Sequence, residues 1–221
     1  MKILAITDIH SRIGYVRKLT NILDGVDVVV IAGDITYFEN MDYALKIISH
    51  ISRRKITIFI PGNCDDPSLV KVKKENNAVN VHGDYYILDE VVFVGVGGSN
   101  ITPFNTPIEY SEEELWKIAS NGFQKLSKEK FKGLKILVSH PPPYNTKLDR
   151  TYFGQHVGSI SIRKVIEFFK PNLCICGHIH EARGVGKLGE TMILNPGPLM
   201  RKYYALIEIN NTNIEVNLNV L

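Results

Sequence analysis

Five short apolar runs constrain the fold of this chain more than any other feature. They are "KILAIT" (Lys2–Thr7), "DVVVIAG" (Asp27–Gly33), "KITIFI" (Lys55–Ile60), "KILVSH" (Lys135–His140) and "NLCICGH" (Asn172–His178). Runs this short and this rich in Val and Ile read as strands covered on both faces. Helical patterns separate the first three. Val16, Leu19, Ile22 and Leu23 recur at helical spacing up to Gly25, and Leu45, Ile48 and Ile51 do the same further on. The order is βαβαβ, and each run ends on residues able to do chemistry. Open α/β sheets bind their ligands at such strand ends.

The rest of the chain adds a second set of strands. Tyr85–Gly98 predicts two adjacent antiparallel strands turning at Asp89 and Glu90, and Ser99–Tyr110, rich in Pro, Asn and Thr, predicts a loop. Ser111 with Glu114 three residues on is a capping box, and the helix it opens carries acids in its first turn and Lys in its last. The stretch Pro141–Ser159 predicts a long irregular loop, of a length usually functional or disordered. A helix follows at Ser161–Phe169, and the tail from Thr191 to Asn219 predicts a β meander. Together these elements predict one α/β domain over residues 1–221, two packed sheets with helices outside.

Composition narrows the class of protein. With 44% hydrophobic and 22% charged residues the chain has enough apolar matter for a real core. A net charge of +3 with no concentrated basic face argues against nucleic acid, and the run Lys71 to Lys74 reads as a solvated face. Three cysteines, an odd number, make no disulfide framework and point to a reducing cytoplasm. The first apolar run is too short for a signal peptide, and no run approaches the roughly 18 residues of a membrane span. Cys174 and Cys176 read as small core residues, and His50 and His82 as structural histidines.

The chemistry-bearing residues are Asp8 and His10, Asp34, Asn63 and Asp65, His140, and His178 and His180, in five pieces that each follow a predicted strand. Alternate residues on an extended chain point the same way, so Asp8 and His10 are expected to reach one ion, and His178 and His180 a shared site. Carboxylate, imidazole and amide oxygen form a mixed set suited to Mn, Fe, Zn, Ni or Co. A lone Asp after a strand is usually a cap, and a lone His usually structural. Recurrence at five strand ends in order is what argues for metal. Asp65 set aside, the seven others exceed the needs of one ion, whereas two divalent ions sharing a carboxylate use all seven.

From "TDIH" (Thr7–His10) through "AGDIT" (Ala32–Thr36), "PGNCDD" (Pro61–Asp66) and "SHPP" (Ser139–Pro142) to "GHIH" (Gly177–His180) and "NPG" (Asn195–Gly197), the chain resembles the calcineurin-like metallophosphoesterases. The resemblance covers nearly the whole chain and implies a four-layer α/β/β/α sandwich of two mixed sheets. It implies that Asp8, His10 and His180 hold one metal and Asn63, His140 and His178 the other, with Asp34 bridging and manganese the first choice of ion. It further implies hydrolysis of phosphate esters, phosphodiesters ahead of monoesters, by a hydroxide bridging the two ions. The segment "GVGGSNITPFNTP" (Gly95–Pro107) is similar to a branch of archaeal and bacterial phosphoesterases related to cyclic-nucleotide phosphodiesterases.

The chain departs from the family at Cys64, where most members have a histidine that assists the leaving group and is held by an Asp equivalent to Asp65. A thiol is shorter and a weaker hydrogen-bonding group, and general acid help is worth roughly 10²–10⁴ in rate. Cys64 reads as a neutral packing residue, as a reactive thiolate or redox handle, or as a metal ligand. For substrate contacts, Asn100, His156 and Arg183 are the candidates. His156, on the loop that also carries Tyr144, Arg150 and Tyr152, is either a replacement for the missing acid or a solvated loop histidine. Arg183 either binds a phosphoryl oxygen or pairs with Glu181. The expected protein is a cytoplasmic, metal-dependent phosphoric ester hydrolase acting on small phosphate esters or nucleotides, with edge strands and Tyr- and Pro-bearing loops that suit a homodimer. The rival reading is a metal-binding interaction scaffold without catalysis.

Overall fold

A computed structural model describes residues 1–221. The first three runs form β1 (Lys2–Ile6), β2 (Val28–Ala32) and β3 (Ile56–Ile60), followed by the short β4 (Lys74–Glu75) and β5 (Ala78–Asn80). Next come β6 (Tyr85–Leu88), β7 (Val91–Val96), the two-residue pair β8 (Ser99–Asn100) and β9 (Glu109–Tyr110), β10 (Leu134–Ser139) and β11 (Leu173–Ile175). The chain ends with β12 (Gly184–Leu188), β13 (Thr191–Asn195), β14 (Tyr203–Asn210) and β15 (Asn213–Val220). The helices are α1 (Ile13–Lys18), α2 (Thr20–Leu23), α3 (Met41–Ser52), α4 (Glu112–Leu126) and α5 (Ile160–Phe169).

One seven-stranded sheet runs β15-β14-β1-β2-β3-β5-β4 and one six-stranded sheet runs β12-β13-β11-β10-β7-β6. In each, the central strands are parallel and the outer ones antiparallel. The period-2 alternation of a strand sorts residues between layers. Ile3, Ala5, Val28 and Val30 meet Phe93, Ile136, Val138 and Ile175 of the other sheet. Leu4, Ile6, Val29 and Ile31 face the opposite way, onto Val16, Ile47, Ile48 and Ile51 of α1 and α3. Val92, Val94, Leu137, Cys174 and Cys176 pack beneath Leu115, Ala119 and Phe123 of α4 and Val165 of α5. The result is the expected four-layer α/β/β/α sandwich, with Cys174 and Cys176 as core residues. Phe93 is fully buried between the sheets, so its truncation to Ala costs about 3–5 kcal/mol.

Several expectations are corrected. The helix between β1 and β2 breaks at Leu19, because Leu19 N–H reaches back to Val16 and Ile22 N–H to Leu19, three residues each, and the turn tightens. On α3 the buried stripe takes in Ala44 and Ile47, leaving Leu45 half-buried. The tail is no simple meander. β12 and β13 form a hairpin on the second sheet, and β14 and β15 a hairpin on the first. Between them the chain crosses at Asn195–Pro198, where Asn195 Oδ1 accepts from Gly197 N–H and Leu199 N–H bonds the Thr7 carbonyl. β13 is almost wholly buried and needs two covered faces, whereas β14 alternates and suits a one-sided position next to the edge.

Candidate metal centre

The strands β1, β2, β3, β10 and β11 all end at one rim, where the two sheets meet. His140 N–H bonds Val96, Gly177 N–H bonds the His140 carbonyl, and the His140 ring reaches Ala32 at the end of β2. Beyond the strands the backbone turns sharply. Asp8, His10, Asp34 and His178 have φ of 49°, 45°, 49° and 66°, in the left-handed region that non-glycine residues seldom enter. Each such residue costs on the order of 1–3 kcal/mol. Hydrogen bonds from Asp8 N to Gly33 O (3.1 Å) and from His10 N to Asp34 O (3.0 Å) fasten these turns. Convergence of these side chains therefore comes from left-handed turns and not, as the spacing suggests, from alternation along an extended strand. Glycine is required at Gly62, because a Cβ there would run into the Asp34 backbone nitrogen and Oδ1.

The side chains gather around Asp34. His10 Nε2 lies 3.6 Å from Asp34 Oδ2, and His140 Nε2 lies 3.4 Å from Asp34 Oδ1. On the first side, His10 Nε2 and His180 Nε2 face each other at 3.0 Å, with His180 Nε2 3.2 Å from Asp8 Oδ1. On the second, His140 Nε2 lies 2.9 Å from Asn63 Oδ1. Asp8, His10 and His180, and also Asp8, Asp34 and His140, each bring one donor atom within 4.8 Å of the others. The His178 ring stands edge-on to that of His140, centroids 5.1 Å apart, and belongs to neither triad.

These contacts bring several donor atoms for a cation face to face. His140 Nδ1 faces a carbonyl oxygen, which only accepts, so that nitrogen carries the proton and Nε2 presents a lone pair. Asn63 Nδ2 donates to Thr106 Oγ1 at 3.0 Å, and Thr106 in turn donates to Glu109, which fixes Oδ1 toward His140. When His140 is neutral, its lone pair meets that of Asn63 Oδ1, an arrangement that a cation, whether a metal ion or a proton, relieves. His10 Nδ1 is buried without a partner. The donor set fits divalent ions of the Mn to Zn series.

Electrostatics carry the same message. Burial works against the Asp34 charge, but the His140 charge and hydrogen bond, His10 and the Cys64 N–H together hold its carboxyl below the usual range. Burial pulls His140 down as well, yet Asp34 with Asp8 and the Ala32 carbonyl lifts it to about 9. In the metal-free chain a proton on this ring fills the place a cation would take. Burial keeps His178 neutral, at about 4, and lowers His10, while hydrogen bonding and charge from Asp8 outweigh burial and raise His180.

Asp65, whose family equivalent holds the missing histidine and which is a catalytic candidate on that ground, here bonds backbone and Thr36. It is fully buried, and its two oxygens accept from Ile35 N (3.1 Å), Thr36 N (2.7 Å), Thr36 Oγ1 (2.8 Å) and Gly62 N (2.8 Å). A carboxylate has about four lone-pair positions, and all are used. Asp65 staples the Asp34 turn to the Gly62 turn, although burial and the Asp34 charge push it up to about 6. Cys64 is buried, with Sγ within 4.8 Å of donor atoms of His10 and Asp34 and 3.6 Å from Asn63 Nδ2. Burial, then the Asp34 charge, pushes the thiol well up, so in the metal-free chain it is a neutral group and no thiolate.

Arg183 is also corrected. Its guanidinium lies over the Tyr203 ring and donates to the Pro196 and Asn219 carbonyls, at 3.1 Å each, so it braces the chain crossing. It does not pair with Glu181, which accepts from Tyr152 N–H at 3.1 Å. His156 and Asn100 share a separate patch. His156 Nδ1 lies 2.7 Å from Oδ1 of the buried Asp149, and Asn100 Nδ2 donates to the neighbouring Val157 carbonyl. The long loop is held to itself, Asp149 also accepting from Asn145, Thr146 and Gly158. His82 is structural as expected, with Nδ1 accepting from Gly97 N–H. Sequence reasoning missed Thr106, whose partner Asn63 lies 43 positions away, and Glu109 and Asp149, whose partners are three to nine residues off within irregular loops.

The fold and motifs have close counterparts. A family model for calcineurin-like phosphoesterases matches residues 1–182. The chain is 41% identical over 204 residues to an uncharacterized protein of Methanocaldococcus jannaschii, covering 90% of this chain and 88% of that protein. In fold it is similar to a protein of Thermus thermophilus, with a TM-score of 0.73, 19% identity and coverage of 98% and 97% of the two chains. It is also similar to a dimetal phosphatase from Danio rerio, with a TM-score of 0.66, 13% identity and coverage of 100% and 96%. Given the family model's reach and the strand-end motifs gathered at one rim, the chain belongs to the calcineurin-like phosphoesterase family.

Proposed function

We propose that this protein is a metal-dependent phosphodiesterase. In this reading Asp8, His10 and His180 hold one divalent ion, Asn63, His140 and His178 hold a second, and Asp34 bridges them. Manganese is the first candidate, with Fe, Zn, Ni and Co as alternatives. The observation that carries the reading is the convergence of donor atoms on either side of the Asp34 carboxylate, Asp8 with His10 and His180 on one side and Asn63 with His140 on the other. When bound, such a pair of ions supplies a nucleophile at neutral pH and offsets phosphoryl charge. The chain's own residues fix the donor directions. Ala32 sets the His140 tautomer, Thr106 aims Asn63, and Asp65 holds the Asp34 and Asn63 turns together.

Two features favour a diester over a monoester. No Lys or Arg bonds any of the seven proposed ligands, so in this reading the ions alone supply positive charge within the donor set, which suits the single charge of a diester. Cys64, a neutral buried thiol, offers little proton help to a departing alkoxide. Asn100 and His156 remain candidates for substrate contact, and small phosphate esters or nucleotides are the substrate class.

The test is metal content together with hydrolysis. Wild-type chain is expected to take up two ions and, with Mn²⁺, to hydrolyse an aryl phosphodiester, while Asp34→Ala loses both ions. Two ions per chain in that variant would overturn the bridge. Two ions in wild type with no ester hydrolysed would leave a metal-binding scaffold.

A further inference from the structure

Beside the centre lies a cavity of about 340 Å³ whose walls include Phe38, Glu39, Asn40, Cys64, Asp66 and Pro107. Cys64 belongs to both, its thiol facing the donor atoms of His10 and Asp34 while its residue lines the cavity. An aromatic path leads the same way. The Tyr37 ring meets His10 edge-on at 5.5 Å and Phe38 at 4.6 Å. Phe38 N–H bonds the Cys64 carbonyl at 3.0 Å, and 53% of the Phe38 residue surface stays open to solvent.

The polar wall is acidic. Asp66 accepts from Ser68 N–H and Met41 N–H, and the Ser68 bonds above all keep its carboxyl below the usual range, hence charged. Glu39 is exposed, and none of the eight lining residues is Lys, Arg or His. Asn40 Oδ1 caps α3 through Tyr43 N–H, which leaves the Asn40 amide N–H₂ free. A cavity that shares Cys64 with the candidate metal centre, with one flat apolar wall and an acidic one, suits one kind of group. Stacking favours a planar ring, the carboxylates favour N–H donors, and their charge repels anions.

We propose that this cavity is the subsite of the alcohol that leaves, and that it selects an uncharged or cationic alcohol with a flat face and N–H donors, such as a nucleoside, over an alcohol carrying a further phosphate. The proposal rests on the phosphodiesterase reading. In the reaction a water oxygen bonds to phosphorus as the phosphorus–oxygen bond to that alcohol breaks. One water proton ends on the departing alcohol and the other remains with the phosphate product or passes to solvent.

The test uses full-length, Mn²⁺-loaded protein and two diesters with the same thymidine half. One releases adenosine, and the other releases adenosine bearing an extra phosphate, with products separated by chromatography. Release of adenosine is expected to have about tenfold higher kcat/KM at low salt. Glu39→Lys is expected to shrink that ratio about tenfold, and Phe38→Ala to lower kcat/KM for the adenosine diester about three- to tenfold, the factor a lost stacking contact gives. A second readout is free of turnover: adenosine should show magnetisation transfer from the Phe38 ring, lost in Phe38→Ala. Equal rates for the two diesters with no response to Glu39→Lys would overturn the proposal, as would absent transfer from Phe38. Intact transfer without hydrolysis of any ester would overturn the phosphodiesterase reading and leave the cavity's preference standing.

Discussion

Gly62→Ala tests how tightly the Asp34 and Asn63 turns approach. The new methyl group would meet the Asp34 nitrogen and Oδ1, neither of which is the free end of a long side chain. Asp34 cannot retreat cheaply, because its carbonyl holds His10 N–H at 3.0 Å and its Oδ1 holds Cys64 N–H at 2.8 Å. Overpacking costs roughly 1–3 kcal/mol, and loss of a hydrogen bond to a charged group about 1.5–3 kcal/mol. The sum, about 3–5 kcal/mol, corresponds to a Tm lowered by roughly 10 °C, at about 2–4 °C per kcal/mol for a chain of this size. The control is Gly14→Ala in α1, where a Cβ meets nothing within 4 Å. The same methyl group there should stabilise by about 0.4–1 kcal/mol. Urea and thermal unfolding in EDTA, followed by metal analysis after reloading with Mn²⁺, read both effects. A Gly62→Ala chain with wild-type Tm and full metal content would refute the close approach on which the geometry of the centre depends.

Other expectations are simpler to state. Cys64→His should raise kcat/KM for alkyl diesters more than for aryl diesters; an equal change for both would mean that the position does not face the leaving oxygen. Asp65→Ala should lose roughly 4 kcal/mol, about 1 for each of four buried bonds, and lose metal in step. A variant as stable as wild type yet inactive would return Asp65 to a chemical role. His82, held at about 4 by burial and then by the Lys73 charge, refuses a proton that the unfolded chain accepts below about 6.5. Stability should therefore fall by about 2 kcal/mol between pH 7 and pH 5 on its account, and His82→Asn, which keeps an acceptor for Gly97 N–H, should remove that share. Identical urea midpoint shifts in the two proteins would contradict the burial of this ring.

The five strand ends were legible because two strong signals coincide there, unbroken β-branched runs and donor residue types placed directly after them. The sandwich followed, since strands covered on both faces need two further layers. The roles of Asp65 and Arg183 were not legible. A carboxylate after a glycine turn and an arginine after "GHIH" look functional in a local window, but their partners, Thr36 for one and Asn219 for the other, lie about 30 residues or more away. The tail was misread for a related reason. β13 and β14 are both apolar enough for strands, and only the demand for one covered face or two assigns them to different sheets. How Asp8 and His10 converge was hidden too, because residue type does not reveal that both take left-handed conformations.

The facing rings of His10 and His180 stand 170 positions apart in the chain. Pairing across such a distance contributes nothing early in folding, since the intervening loop must close before the contact can form. A growing chain that has not yet made β11 lacks His178 and His180 altogether, and one that lacks Leu199 and Met200 leaves the carbonyls of Thr7 and Asp8 unbraced. If these residues hold the ions as proposed, full metal uptake waits for the end of synthesis. On the proposed ligand set, a truncated or half-assembled molecule has no pair of facing imidazoles with which to capture the first ion.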